Sequence, residues 1–176
     1  MRLDVPVLLA LTVAAAIVQT ALPHPQWMVM KPPLLAAVAA YYALSRELPL
    51  ALTAALWSGA ATDVCSGFPF PLTAGFLLVV CVALRSLRRV ADDTVWWRGL
   101  AVMAVATLLQ GVWYGATMGR NGIPLDRFIR GLLGAAGGGA VAGWAVFLVC
   151  GWFDGLAGNV KGAVPDDGVP WHNAVL

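Results

Sequence analysis

The chain has 176 residues, 60% of them hydrophobic, with 11 Lys/Arg, 9 Asp/Glu, a net charge of +2 and a mean hydropathy of +0.80. An ordinary soluble domain is about 45–50% apolar and about 25% charged. The composition therefore excludes a soluble enzyme, a disordered chain and a disulfide scaffold, argues against a nucleic-acid partner, and predicts an integral membrane protein.

A bilayer core about 30 Å thick takes about 20 apolar residues of helix. Uncharged runs extend from Val5 to Met30, Val64 to Leu84, Gly99 to Gly119 and Gly131 to Phe153, with two shorter ones from Pro32 to Ser45 and Leu48 to Thr62. They predict an all-α, polytopic fold of six transmembrane helices, one domain over residues 1–153, and a mobile cytoplasmic tail over 154–176.

Segment one, Val5–Leu22, reads as a retained helix rather than a cleaved leader, because Asp4 cancels the charge of Arg2 and further apolar spans follow. Pro23 and Pro25 end it. Gln19, near its end, is costly in lipid unless paired, so it is expected to face a neighbouring helix. Segment two covers Trp27–Leu44. Lys31 within it can snorkel to the headgroups, and Pro32 suits a first helical turn, which leaves the helix proper short for a full span. Ser45-Arg46-Glu47 turns the chain into segment three, Leu48–Asp63, so segments two and three form a short helical hairpin. Gly67, Pro69 and Pro71 break the chain before segment four, Leu72–Leu84.

A charged loop with Arg85, Arg88, Arg89, Asp92, Asp93 and Arg98 leads to segment five, Gly99–Met118. Another, with Arg120, Asp126, Arg127 and Arg130, leads to segment six, Gly131–Phe153. With the N-terminus inside, Arg2, Arg46, Arg85, Arg88, Arg89, Arg98 and Lys161 fall on the cytoplasmic side, against Lys31, Arg120, Arg127 and Arg130 outside. That bias places both termini in the cytoplasm.

Few residues can carry chemistry. Asp63 is either a proton or ion relay, the default for an intramembrane acid, or an acid near the outer face that accepts loop N–H groups and fixes the hairpin to segment four. The second reading is favoured, since no other acid shares its span. Gly111, Gly115 and Gly119 recur every four residues, as do Gly134 and Gly138, and Gly139 and Gly143. Such spacing lets two helix backbones approach closely, either between segments five and six or against a partner. Ala10 and Ala14 form a weaker version on segment one. Trp27, Trp96, Trp97 and Trp152 fall near span boundaries, as an aromatic belt would, while Trp57, Trp113 and Trp144 are expected in packing. Gln110, mid-span, is expected to bond Gln19 or a backbone carbonyl. Cys65, Cys81 and Cys150 read as buried inert thiols. His24 and His172 lie in a loop and the tail, and no metal, cofactor or nucleophile set is expected.

Val18-Gln19, Pro23-His24-Pro25, Val29-Met30-Lys31-Pro32, Tyr41-Tyr42-Ala43-Leu44 and Gly59-Ala60-Ala61-Thr62-Asp63-Val64-Cys65-Ser66-Gly67 follow one another in order. Over about residues 17–84 this resembles the rod shape-determining membrane protein family MreD, with its basic-Pro pair opening a short hairpin and its G-x-x-x-D-x-x-S-G segment at Gly59, Asp63, Ser66 and Gly67. Phe70-Pro71 stands where the family pattern often continues with Leu-Gly, and Lys31 stands where arginine is usual. The resemblance implies a non-enzymatic scaffold of bacterial cell elongation. It would bind the single-span MreC in the inner membrane, in an assembly with MreB, RodA and a class B penicillin-binding protein. The surplus of small residues over what a lone bundle needs makes the glycine faces or segment one the expected MreC contact. The rival is a substrate-binding subunit of an energy-coupling-factor vitamin transporter, similar in size, with six spans and an Ala-x-x-x-Ala pattern on the first helix as at Ala10 and Ala14, and with Gln19, Asp63, Gln110 and Tyr114 as pocket candidates. A third reading is a proton-coupled transporter that uses Asp63.

Overall fold

The computed structural model describes residues 4–23, 31–67, 69–87, 95–117 and 124–156. Among them the chain is all-helical, with α1 (Asp4–Ala21), α2 (Leu34–Ser45), α3 (Leu48–Ser66), α4 (Leu72–Leu87), α5 (Val95–Thr117) and α6 (Leu125–Leu156). Three stretches are long and apolar enough to cross a membrane: Leu48–Ser66, Gly99–Thr117 and Leu125–Leu156. The apolar helices Val5–Ala21, Leu34–Ser45 and Leu72–Ser86 are shorter.

The short helix is the central one. α2 touches each of the other five helices, and Leu35 to Ala43 are buried without a break. A helix surrounded on every side has no polar face to offer, which is why its sequence is apolar all round. Alanine is the commonest residue in this core, joined by Leu8, Leu77, Met103 and Phe147. Valine, leucine, isoleucine and tryptophan crowd the outer surface instead, as with Ile17, Val79, Val105, Leu133 and Val141. Large apolar groups face outward and small ones inward, the reverse of a water-soluble domain.

The pairs α5–α6, α3–α4 and α2–α3 make the most extensive contacts. Glycine sets the α5–α6 approach: a β-carbon at Gly139 would strike Thr107 Oγ1, and one at Gly143 would strike Met103. At Gly115 it would stand 2.8 Å from Phe128 Cζ.

Several boundaries differ from the sequence reading. α3 does not stop at Asp63 but continues one turn to Ser66, where Gly67 at φ 67° ends it, a left-handed conformation that glycine adopts without a β-carbon clash. α6 begins at Leu125, so Asp126, Arg127 and Arg130 lie on a helix, with Asp126 and Arg130 paired one turn apart, rather than in a loop. It ends at Leu156, so Asp154, assigned to the tail, is helical and buried. The rest of the expected tail, residues 157–176, lies outside the described residues, as do Gly119 and Trp27. Trp57, Trp113 and Trp144 are exposed on the outer surface rather than buried in the core: with alanine and glycine filling the core, an indole has no room there, and the ring contact of Trp113 with Phe76 is made at the surface. Cys81 and Cys150 are buried, but Cys65 is exposed at the end of α3.

Candidate functional site

Two polar clusters occupy opposite ends of the bundle. The first is built around the α3–α4 joint. Gly59 and Asp63 are one helical turn apart and face α4 together. A β-carbon at Gly59 would strike the Ala74 backbone, so the missing side chain is what lets the start of α4 lie against α3. Asp63, 1% exposed, then reaches that start: the Thr73 N–H donates to Oδ1 and Oδ2 at 2.9 and 3.1 Å, and the Ala74 N–H donates to Oδ2 at 3.3 Å. These are first-turn amides with no partner inside their own helix. Pro71, just before the helix, has no side-chain acceptor to give them, and Asp63 supplies one from the preceding helix.

The cluster extends to α5. Thr73 Oγ1 and Tyr114 Oη lie 2.7 Å apart, and Gln110 Nε2 donates to Tyr114 Oη at 2.8 Å. Phe76 and Trp113 lie alongside at a tilt of 33°, with ring centroids 6.3 Å apart. Asp63 and Tyr114 thus meet at Thr73, with Gln110 joined through Tyr114, while Gln19 does not join them. Its Oε1 accepts the Leu35 N–H at 3.0 Å, at the start of α2 where Pro33 stands in the cap position without a capping side chain. Lys31 reciprocates by donating from Nζ to the Thr20 carbonyl at 3.1 Å, a cation at the negative end of α1. The expectations that Gln110 bonds Gln19 or a carbonyl, and that Asp63 lies close to water, give way to this arrangement.

The second cluster lies where α2, α4 and α6 end. Asp154 accepts the Tyr41 hydroxyl at Oδ2, 2.8 Å away, and pairs through Oδ1 with Arg46 Nη2 at 2.7 Å. Arg46 and Asp154 are both buried. Arg85 Nη1 donates to the Arg46 carbonyl at 2.7 Å. The rings of Tyr41 and Phe147 pack edge to face at 5.4 Å. The sequence reading gave no site role to Thr73, Tyr41 or Asp154. Asp154 had a signal: the buried face of α6 runs Gly143, Phe147, Cys150, Asp154 at helical spacing.

Of the other expected site residues, Pro32 accepts the Leu34 N–H at 3.0 Å. Ser66 is exposed at the end of α3, Gly111 is buried on α5, and Gly134 and Gly138 are half-buried on α6. Gly115, Gly139 and Gly143 are occupied by neighbours within the chain. On the outside, Ala10 and Ala14 are exposed along α1. Among the described residues no group of histidine, cysteine and acidic side chains has the form of a metal site. No family model, no curated protein and no solved structure matches the chain.

Proposed function

We propose that the chain is a non-enzymatic scaffold of the MreD type, crossing the bacterial inner membrane six times with both termini in the cytoplasm. In this role it binds MreC and, through the assembly, serves MreB, RodA and a class B penicillin-binding protein in cell elongation. The observation that carries the reading is the α3–α4 joint. The residues that carry the family resemblance, Gly59, Asp63 and Gly67, are each engaged in shaping it: one admits α4, one caps it and one ends α3. A protein that works by docking neighbours needs its outer shape fixed, and these residues fix it.

The outward valines, leucines and tryptophans support residence in lipid. Six crossings accommodate α2 because a helix sealed among five others need not match the hydrocarbon thickness by itself. Gly115, Gly139 and Gly143 are filled from within, whereas Ala10 and Ala14 are exposed along α1 and offer a small-residue face to a partner helix. Affinity purification from the native membrane tests the reading. MreC should co-purify with the wild type and be depleted by Ala10→Leu with Ala14→Leu. Recovery of an elongation-unrelated transporter complex instead would defeat it.

A second reading, the vitamin-binding subunit, draws on the convergence of Asp63, Thr73, Tyr114 and Gln110. Those groups bond one another rather than project into a cavity. Nanomolar binding of a vitamin by calorimetry, lost in Tyr114→Phe, would favour it over the scaffold.

A further inference from the structure

α6 changes partner along its length. At Gly139, Gly143 and Phe147 it lies against Thr107, Met103 and Gly99 of α5. Each step of four residues on one helix matches a step of four on the other, so Val95, where α5 begins, falls opposite Gly151. The last turn of α6 therefore runs past the start of α5. There one face is packed: Asp154 takes the Tyr41 hydroxyl and the Arg46 guanidinium of α2, and Cys150, one turn earlier, is buried with it. The other face carries Val149, Trp152, Phe153 and Leu156, all exposed.

The two ends of α2 are held differently. Its start is tied by Gln19 to the helix just before it, whereas Tyr41, near its end, is tied to a residue 113 positions later in the chain. That later segment also contains Gly151 and Gly155, and glycine is the weakest helix former short of proline. A β-carbon at Gly155 would meet nothing within 4 Å, and one at Gly151 would meet the Tyr41 hydroxyl at an ordinary 4.0 Å. Unlike Gly139 and Gly143, these two are not required by close packing. A helix end with one packed face, one buried carboxylate as its anchor and two glycines has the makings of a unit that opens locally, at less cost than global unfolding.

We propose that residues 148–156 form a strap that unwinds from the end of α2 and closes again while the rest of the bundle stays folded. Closed, it seals Tyr41 and Arg46. Open, it withdraws Asp154 and exposes both. Because α2 touches each of the other five helices, the state of the strap bears on the whole bundle. The proposal rests on neither the scaffold role nor the orientation in the membrane.

Two native thiols read it out. Cys150 lies in the strap, and Cys81 lies outside it, on α4 beside Ala39 and Ala40 of α2; both are buried. The exposed Cys65 is removed as Cys65→Ser. The full chain, folded in micelles of a mild detergent, is labelled with a small maleimide, which reacts with a thiol only when it is exposed. Cys150 should be labelled about ten-fold faster than Cys81, through local opening. Asp154→Asn, which removes the charge that holds Arg46, should speed Cys150 by about ten-fold more and leave Cys81 unchanged. Gly151→Ala, which favours the helical form, should slow Cys150 about four-fold. The proposal is overturned if the two thiols react together, if Asp154→Asn speeds both alike or neither, or if Gly151→Ala leaves the Cys150 rate where it was. Should Asp154→Asn fail to fold, the two thiols of the parent chain and Gly151→Ala decide the matter. A chain that stays dissolved without detergent defeats the membrane reading, and the same rates measured in water still test the strap.

Discussion

Removing the Asp63 carboxylate separates a helix-capping acid from a proton relay. In the wild type it accepts the N–H groups of Thr73 and Ala74 within a fully buried joint. Asp63→Ala leaves both amides without an acceptor where water has no access. A buried donor left unsatisfied costs about 1–3 kcal/mol, and loss of a helix cap typically costs about 1 kcal/mol. The two descriptions overlap, so the expected destabilisation is about 3 kcal/mol. Asp63→Asn keeps one oxygen acceptor for Thr73. It loses the attraction between a negative charge and the positive start of α4, about 0.3–1 kcal/mol, but also escapes part of the penalty for burying that charge. Its amide NH2 also takes the place of one accepting oxygen and faces a backbone N–H, so the expected loss is about 1–2 kcal/mol, less than that of Asp63→Ala.

The measurement is reversible unfolding in mixed micelles of a mild detergent and dodecyl sulfate, followed by circular dichroism. A capping role gives Ala below Asn, with Asn between Ala and the wild type. A relay gives the opposite pattern in liposomes, where Asn and Ala abolish pH-driven flux alike. An Asp63→Ala protein within about 0.5 kcal/mol of the wild type, or an Asn variant as damaged as the Ala variant, would refute the capping argument.

Other perturbations follow the same logic of who occupies the neighbouring space. Gly59→Ala pushes a methyl group into the Ala74 backbone, which cannot swing aside; the expected loss is about 2–3 kcal/mol in the same unfolding assay. Gly75→Ala meets nothing within 4 Å and should be neutral or stabilising by about 0.5–1 kcal/mol. Gly139→Ala strikes Thr107 and should loosen the α5–α6 pair, read as faster proteolysis in micelles, whereas Gly137→Ala, in open space, should not. Asp154→Ala strips Arg46 of its buried carboxylate and should cost about 3–5 kcal/mol, while Tyr41→Phe, which removes one hydrogen bond from that carboxylate, should cost about 1 kcal/mol.

Helix positions were legible because charge and proline punctuate apolar runs: Arg46-Glu47 marks the α2–α3 turn and Pro71 the start of α4. Asp63 was legible as a tie between the hairpin and segment four because an acid at the end of an apolar run has few other uses. Its partners were not, since Thr73 is an ordinary threonine in an apolar helix until α3 and α5 are laid against it. The glycine spacing announced close helix approach but could not say whose helix approached; Thr107, Met103 and Phe128 of the same chain answer that. The centrality of α2 was hidden for a related reason. A short run that is apolar on every side fits a core helix and a short crossing equally well, and only its neighbours decide. Trp57, Trp113 and Trp144 misled because large aromatic residues usually fill cores, whereas here the core is filled by alanine and glycine.

Two of the prolines that stand at helix starts explain where Gln19 and Asp63 sit. Pro33 and Pro71 precede α2 and α4, and neither offers a side-chain acceptor to the first-turn amides. In water those amides would be solvated, but in an apolar bundle each needs a partner from elsewhere in the chain. In both cases the preceding helix provides it, Gln19 from α1 for Leu35 and Asp63 from α3 for Thr73 and Ala74. Capping is thereby moved from the helix's own sequence to a tertiary contact, so that each cap forms only when two consecutive helices are correctly docked. A helix end and a helix–helix joint become the same interaction, which is why a single polar substitution at Gln19 or Asp63 should disturb the packing of two helices rather than fray the end of one.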